Sequence, residues 1–306
     1  MYDLIVAGGG PAGMTAALYA LRNGKSVLVI EKTGFGGQIT HSPRVENYPG
    51  TKTMSGNEFA DALLDQILYQ GAEIEIEKVT SITCEGDVRK VRTEEGTEYE
   101  AKAVVIAVGV KHRMLGLPGE EELVGEGISF CAVCDGDFYT GKDVCVAGGG
   151  NSALQEAVLL SDKCSSVTIL QDLPYLTAEE KLQEAVRDRD NISIITDVAV
   201  TGLMTEGGEF TGVEITGRSD NEVKEIRCDG LFVAIGLIPE NGPFEELAAL
   251  NEYGYFDSDE QCLTGTPGIF VAGDCRSKQI RQLTTAAADG AVAALAACRY
   301  INALRP

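Results

Sequence analysis

The chain reads as an α/β protein of two doubly wound units, the second inserted in the first, and three observations predict it. A short apolar strand, Asp3-Leu-Ile-Val-Ala7, runs into Gly8-Gly-Gly-Pro-Ala-Gly13 and then into small and apolar residues, a strand–turn–helix order. The same order recurs as Asp143 to Ala147, Gly148-Gly-Gly-Asn-Ser-Ala153 and Leu154 to Leu160. The tail from Ile269 then returns to the first style, with a strand, Gly273-Asp274 and an alanine-rich helix from Thr284. The simplest chain path assigns 1–112 and 242–306 to one domain and 113–241 to another.

Taken in order, Met14 to Arg22 predicts a helix that Gly24 stops, and Ser26 to Ile30 a buried strand ending at Glu31, which completes a βαβ unit. Leu63 to Tyr69 lies in a further helix. From Ile74 to Tyr99 polar and apolar residues alternate, with Gly86 and Gly96 at turns, which predicts an antiparallel meander. Ala103 to Ala107 is an apolar strand running into Val108-Gly109. In the second unit Ser166 to Leu170, Ile192 to Ile195, Val198 to Thr205, Phe210 to Ile215 and Lys224 to Arg227 read as strands. Leu231 to Ile235 ends in Gly236, echoing the strand before Gly109. Each unit thus holds a glycine-rich turn, a meander and an apolar strand ending in glycine.

Composition narrows the function. The 306 residues suffice for about two domains, and 44% hydrophobic residues for their cores. The 36 glycines fit a chain whose tight turns approach ligands. A net charge of −22 argues against nucleic acid, whose phosphates are met by Lys and Arg, and against anionic membranes. No run is long and apolar enough to span a bilayer, and the opening Met1-Tyr-Asp-Leu-Ile-Val enters a strand with no basic leader, which predicts a cytoplasmic chain. Nine cysteines, an odd number and mostly scattered, do not form a secreted disulfide framework. No metal site is expected, with a single Cys-X-X-Cys and only His41 and His112 as histidines.

That pair, Cys131-Ala-Val-Cys134-Asp135, carries the chemistry. Two such thiols cycle between dithiol and disulfide: one thiolate attacks a substrate disulfide and its neighbour resolves the mixed disulfide. The first turn offers Gly8, Gly10, Pro11, Ala12 and Gly13 to a dinucleotide, since glycine allows close backbone approach and the helix N-terminus favours the pyrophosphate. Glu31 ends the second strand where a carboxylate can accept from ribose hydroxyls. Two such turns flanking a redox pair predict a flavin that feeds electrons to the dithiol.

In order along the chain, Gly8-Gly-Gly-Pro-Ala-Gly13, Gly36-Gly-Gln38, Val45-Glu-Asn-Tyr-Pro-Gly50, Cys131-Ala-Val-Cys-Asp-Gly136, Gly273-Asp274 and Arg281-Gln282 resemble the low-molecular-weight thioredoxin reductases over essentially the whole sequence. The resemblance implies two Rossmann-like FAD/NAD(P)-binding-type domains, with the dithiol on the inserted one. It implies that Gly37, Gln38, Asn47, Gly273, Asp274, Arg281 and Gln282 meet FAD, Asp274 through the ribityl chain, with Val79 and Gly109 on the adenine side. It makes Cys134 the flavin-facing sulfur, Cys131 the one that attacks the partner, and Asp135 the acid/base. It further implies a homodimer acting on thioredoxin or a similar small disulfide protein. The other seven cysteines read as small buried hydrophobes, with Cys275, beside Asp274, the one to watch.

The second turn departs from the family pattern. NADPH-using relatives follow the next strand with a His and several Arg that pair with the 2′-phosphate. Here Leu170-Gln-Asp-Leu-Pro-Tyr-Leu-Thr-Ala-Glu-Glu180 has no Lys or Arg, and Asp172 would repel a phosphate carrying about two negative charges. Three readings stay open: NADH, with Asp172 accepting from the 2′-hydroxyl; a unit that binds no pyridine nucleotide, as in the ferredoxin-dependent flavin thioredoxin reductases; and a unit that only carries the dithiol. The second is favoured. An acidic donor such as ferredoxin needs a local basic patch, for which Lys111, His112, Arg113, Arg276, Lys278 and Arg281 are candidates. Two other classes are a flavin reductase or oxidase of small molecules and a redox-sensing flavoprotein.

Overall fold

In a computed structural model, residues 1–42 and 45–304 are described. The chain divides into two compact units, Met1–Lys111 with Ile238–Pro306, and His112–Leu237.

In the first unit a parallel sheet is built from Tyr2–Ala7, Val27–Glu31 and Glu73–Ile76 on one side and Glu98–Ile106 with Ile269–Val271 on the other. Val27–Glu31 is buried along its whole length, as expected for a strand covered on both faces. Two expectations need correcting. Glu73–Ile76, read as the start of the meander, pairs in parallel with Val27–Glu31, so the antiparallel part is Val79–Glu85, Val88–Thr93 and Glu98–Ile106. The strand expected at 103–107 is the continuation of the third meander strand. Residues 98–101 pair antiparallel with Arg89–Arg92, and residues 101–106 pair in parallel with Tyr2–Ala7. No turn-forming residue separates Tyr99 from Ala103, so the chain has no reason to break there.

Three helices cover this sheet: Pro11–Arg22, Gly56–Tyr69 and Leu283–Ala303. The second begins in a reciprocal cap between Ser55 and Glu58, about two turns before the Leu63 start that the sequence pattern shows. The first and third cross so closely that a Cβ on Gly290 would overlap the Ala12 carbonyl. Leu4, Val6, Met14, Val105, Ala293 and Ala297 fill the core on this face, and Ile5, Ile30, Ile106, Phe244 and Phe256 fill the other.

The second unit repeats the plan. Five parallel strands run in the order Ile192–Ile195, Ser166–Leu170, Asp143–Ala147, Gly230–Val233, Ile128–Ser129. Val198–Glu206, Glu209–Gly217 and Val223–Arg227 form a separate antiparallel sheet. Asn151–Ser161 follows the glycine turn as a helix. A helix at Glu180–Arg187 has no counterpart in the sequence reading, because its apolar side is short and only Val186 is buried.

Candidate active site

Cys131 and Cys134 form a disulfide, their Cα atoms 5.3 Å apart. Cys131 caps the single helical turn Ala132–Asp135, and its Sγ accepts from the Cys134 N–H at 3.2 Å. A sulfur that accepts a backbone N–H is better stabilised as thiolate once reduced. Ser129, which the sequence reading did not single out, ties the turn together. Its Oγ accepts from the Cys131 N–H at 3.1 Å and donates to Asp135 Oδ2 at 2.6 Å. The other oxygen, Oδ1, is buried without a hydrogen-bond partner. Burial pushes the Asp135 carboxyl above the usual aspartate range, against the lowering effect of Ser129. A second half-buried acid, Glu156 on helix Asn151–Ser161, is pushed up to about 8 by burial and by the nearby Asp135 charge. Sequence gives no sign of it, since its helical position is one among several polar ones.

The first glycine turn has the form that a dinucleotide needs. Gly8, at φ +111°, lies against the Ala107 carbonyl, and Gly13 against the Gly8 carbonyl, so neither position has room for a side chain. Gly10 caps the helix that begins at Pro11 and Ala12, no side chain occupies that cap, and a Cβ on Gly10 would meet only the Gly36 carbonyl, at 3.9 Å. The helix N-terminus therefore keeps free donors. Glu31 does more than await a ribose. One carboxylate oxygen accepts from the Gly9 N–H at 2.6 Å and the other from the Thr33 N–H at 3.2 Å, so it first fixes the turn itself. Gly37 and Gln38 open an exposed turn at Gly37–His41. Asn47 Nδ2 donates to Gln282 Oε1 at 3.2 Å, which brings together two residues 235 positions apart. Gly109, at φ +68°, faces open space. The Val79 side chain is packed in the core, which leaves its backbone as the part available to a ligand.

Gly273, at φ +80°, starts the turn that carries Asp274. Asp274 Oδ1 is buried with no hydrogen-bond partner, and burial raises this carboxyl against the lowering effects of Lys278 and Arg281. An unpartnered buried acceptor and an uncapped glycine turn in the same unit are what an FAD with ribityl hydroxyls and a pyrophosphate requires, so these residues fit the cofactor.

Of the six residues expected to form a basic patch, Lys111 and Arg113 are exposed, whereas Arg276, Lys278 and Arg281 are committed within the fold. Arg276 is 7% exposed, its Nη1 lying 3.2 Å from both Asp289 oxygens and its Nε donating to Ser258 Oγ at 2.9 Å. Lys278 is equally enclosed, with Nζ 2.9 Å from Asp289 Oδ2. Arg281 lies over the Tyr255 ring at 4.2 Å. Lys111 pairs with Glu240 at 2.8 Å, and His112 stacks on Phe130. Cys275 is fully buried and its thiol is pushed up to about 12, so it is an inert neighbour.

The second turn keeps its backbone form. A Cβ on Gly148 would overlap the Ala234 carbonyl, and Gly150 caps helix Asn151–Ser161 with no side chain on it. Gln171, 4% exposed, packs on Gly149, whose carbonyl accepts from the Thr177 and Ala178 N–H groups at 2.9 and 3.1 Å. The segment after the strand holds no Lys or Arg, but folding brings it a cation from elsewhere in the chain. Arg218, beyond the strand Glu209–Gly217, sits with Nη2 3.8 Å from Asp172 Oδ2, both side chains more than half exposed. Its charge is already matched by that carboxylate. Among the described residues no cluster of His, Cys, Asp and Glu could hold a metal ion, and no helix is long and apolar enough to cross a membrane.

Residues 2–290 match the family model for pyridine nucleotide-disulphide oxidoreductases. The thioredoxin reductase of Bacillus subtilis is 39% identical over 305 residues, covering 100% of this chain and 96% of that one. A 34.2 kDa protein in the rubredoxin operon of Clostridium pasteurianum is also 39% identical, covering 98% of this chain and 97% of that one. The crystal structure of thioredoxin reductase from Streptococcus pyogenes superposes with a TM-score of 0.93 at 38% identity, covering 99% of each chain. With these relatives, the glycine turn and the redox pair, the chain belongs to the low-molecular-weight thioredoxin reductases, FAD-binding members of the pyridine nucleotide-disulphide oxidoreductase family.

Proposed function

We propose that this protein reduces the disulfide of thioredoxin, or of a similar small redox protein, through Cys131 and Cys134, with ferredoxin rather than NADPH as electron donor. The observation that carries the disulfide chemistry is the Cys131–Cys134 turn with the half-buried Asp135 next to it. When bound and reduced by the donor, the flavin would supply the electron pair that opens this disulfide. The Cys131 thiolate attacks one sulfur of the partner's disulfide, forming a mixed disulfide and releasing the partner's other sulfur. Cys134 then attacks Cys131 Sγ, which restores the enzyme disulfide and frees the second partner sulfur. The partner gains two electrons and two protons, and Asp135, whose carboxyl burial raises above the usual aspartate range, delivers a proton to a leaving thiolate. The enzyme acts in the cytoplasm as a homodimer.

What favours a donor other than NADPH is that Arg218, the cation met at Asp172 among the described residues, is already paired, where a 2′-phosphate would need a guanidinium cluster. The enclosure of Arg276 and Lys278 removes them from any docking face, so a ferredoxin would use other cations. A second reading, NADH, is favoured by the intact and uncapped turn at Gly148–Gly150 and by the exposed Asp172 carboxylate. Anaerobic stopped-flow reduction of the bound flavin separates them. Rapid bleaching by reduced ferredoxin and not by NADPH is expected; rapid bleaching by NADPH overturns the donor assignment, and bleaching by NADH alone selects the second reading.

A further inference from the structure

Asp274 offers an unpartnered buried oxygen, and a buried carboxylate costs free energy unless a cation is close. The cation is Lys278, whose Nζ lies 3.8 Å from Asp274 Oδ1 and whose side chain is 9% exposed. A lysine so enclosed would itself be costly if it had one distant partner. It is held instead by Asp289 on helix Leu283–Ala303, at 2.9 Å. Asp289 also accepts from the Gly273 N–H at 3.1 Å and receives the Arg276 guanidinium on both oxygens. One carboxylate thus ties the turn's backbone, a buried arginine and a buried lysine together, and the lysine is shared with the acid offered to the cofactor.

We infer that Lys278, anchored by Asp289, is a positioning residue of the FAD site: its ammonium holds the Asp274 carboxylate in place as a charged acceptor for the cofactor. This rests on FAD binding and is independent of which donor feeds the flavin. The charged and titratable groups around Asp274 are Lys278 and Arg281 on its own segment, Asp289 from the long helix, and the adjacent Cys275. Helix Pro11–Arg22 meets the turn through the Ala12 methyl, which carries no charge. Of the two cations, Arg281 is committed to the Tyr255 ring and to backbone carbonyls. Lys278 therefore has the larger part in favouring the ionised form of Asp274 against burial.

The test is FAD binding by the deflavinated full-length protein, read as quenching of flavin fluorescence across a pH series. Lys278→Met keeps the aliphatic stem and removes the charge. It should weaken FAD binding about tenfold near neutral pH, and the loss should shrink in alkaline buffer as Asp274 ionises unaided. Lys278→Arg should restore most of the affinity. In an Asp274→Asn background, Lys278→Met should lose its pH-dependent effect. A Lys278→Met protein that binds FAD within about twofold of wild type, or that is weakened equally at every pH, would overturn the proposal, the second result marking a purely structural lysine. A wild-type chain that takes up no FAD would overturn it together with the cofactor assignment.

Discussion

Asp135 and Glu156 are two acids held where acids are costly, and each gives a measurable pH signature. Burial keeps Asp135 protonated to higher pH than a surface aspartate, so a step that uses its proton slows as pH rises through its titration. Asp135→Asn should retain FAD, lose that limb of the pH–rate profile, and lower kcat for disulfide reduction by about 100-fold or more, read by steady-state turnover. Glu156 bears on stability. Its folded-state value, about 8, lies above the ordinary 4.5, so the contribution of the neutral acid is full below pH 4.5 and is lost as pH rises through 8. Glu156→Gln should therefore melt like wild type in acid. Near pH 8 it should be the more stable by an amount on the order of a few kcal/mol, measured by denaturant unfolding at both pH values. The dithiol and its aspartate were legible because they are contiguous. Ser129, Glu156, Arg218 and Asp289 were not, because each acquires its role from a partner brought near by folding.

Elements followed the same division. Glycine turns and buried strands declare themselves locally, so both strand–turn–helix units were readable, and so was the long alanine-rich helix. What pairs with a strand is decided elsewhere in the chain. Glu73–Ile76 alternates like a meander strand yet closes a parallel edge, because Val27–Glu31 has an unpaired side to offer it. Helix crossing is similarly non-local. Gly290 sits inside helix Leu283–Ala303, where alanine would ordinarily be preferred by up to about 1 kcal/mol. Because a Cβ there would overlap the Ala12 carbonyl, Gly290→Ala should destabilise the protein instead, by about 1–3 kcal/mol. A calorimetric melting point at or above wild type would show that the two helices can part without loss. Ser55→Ala, which removes the reciprocal cap from Gly56–Tyr69, should cost about 1 kcal/mol in the same assay.

Over the whole molecule, a charge of −22 sets how partners arrive. An acidic donor is repelled at long range, and salt screens that repulsion within about 10 Å at 0.1 M. Flavin reduction by reduced ferredoxin should therefore speed up as ionic strength rises from very low values, in stopped-flow traces at fixed protein concentration. A steep slowing would reveal a local basic face that outweighs the net charge. The distribution of sulfur has a further use. Of the seven unpaired cysteines only Cys84 is exposed; the other six are buried. Oxidised protein should therefore present one thiol to an alkylating reagent, and reduced protein should add the half-buried Cys131 and Cys134. Mass spectrometry after brief labelling could then count turnover state molecule by molecule, with no optical signal needed.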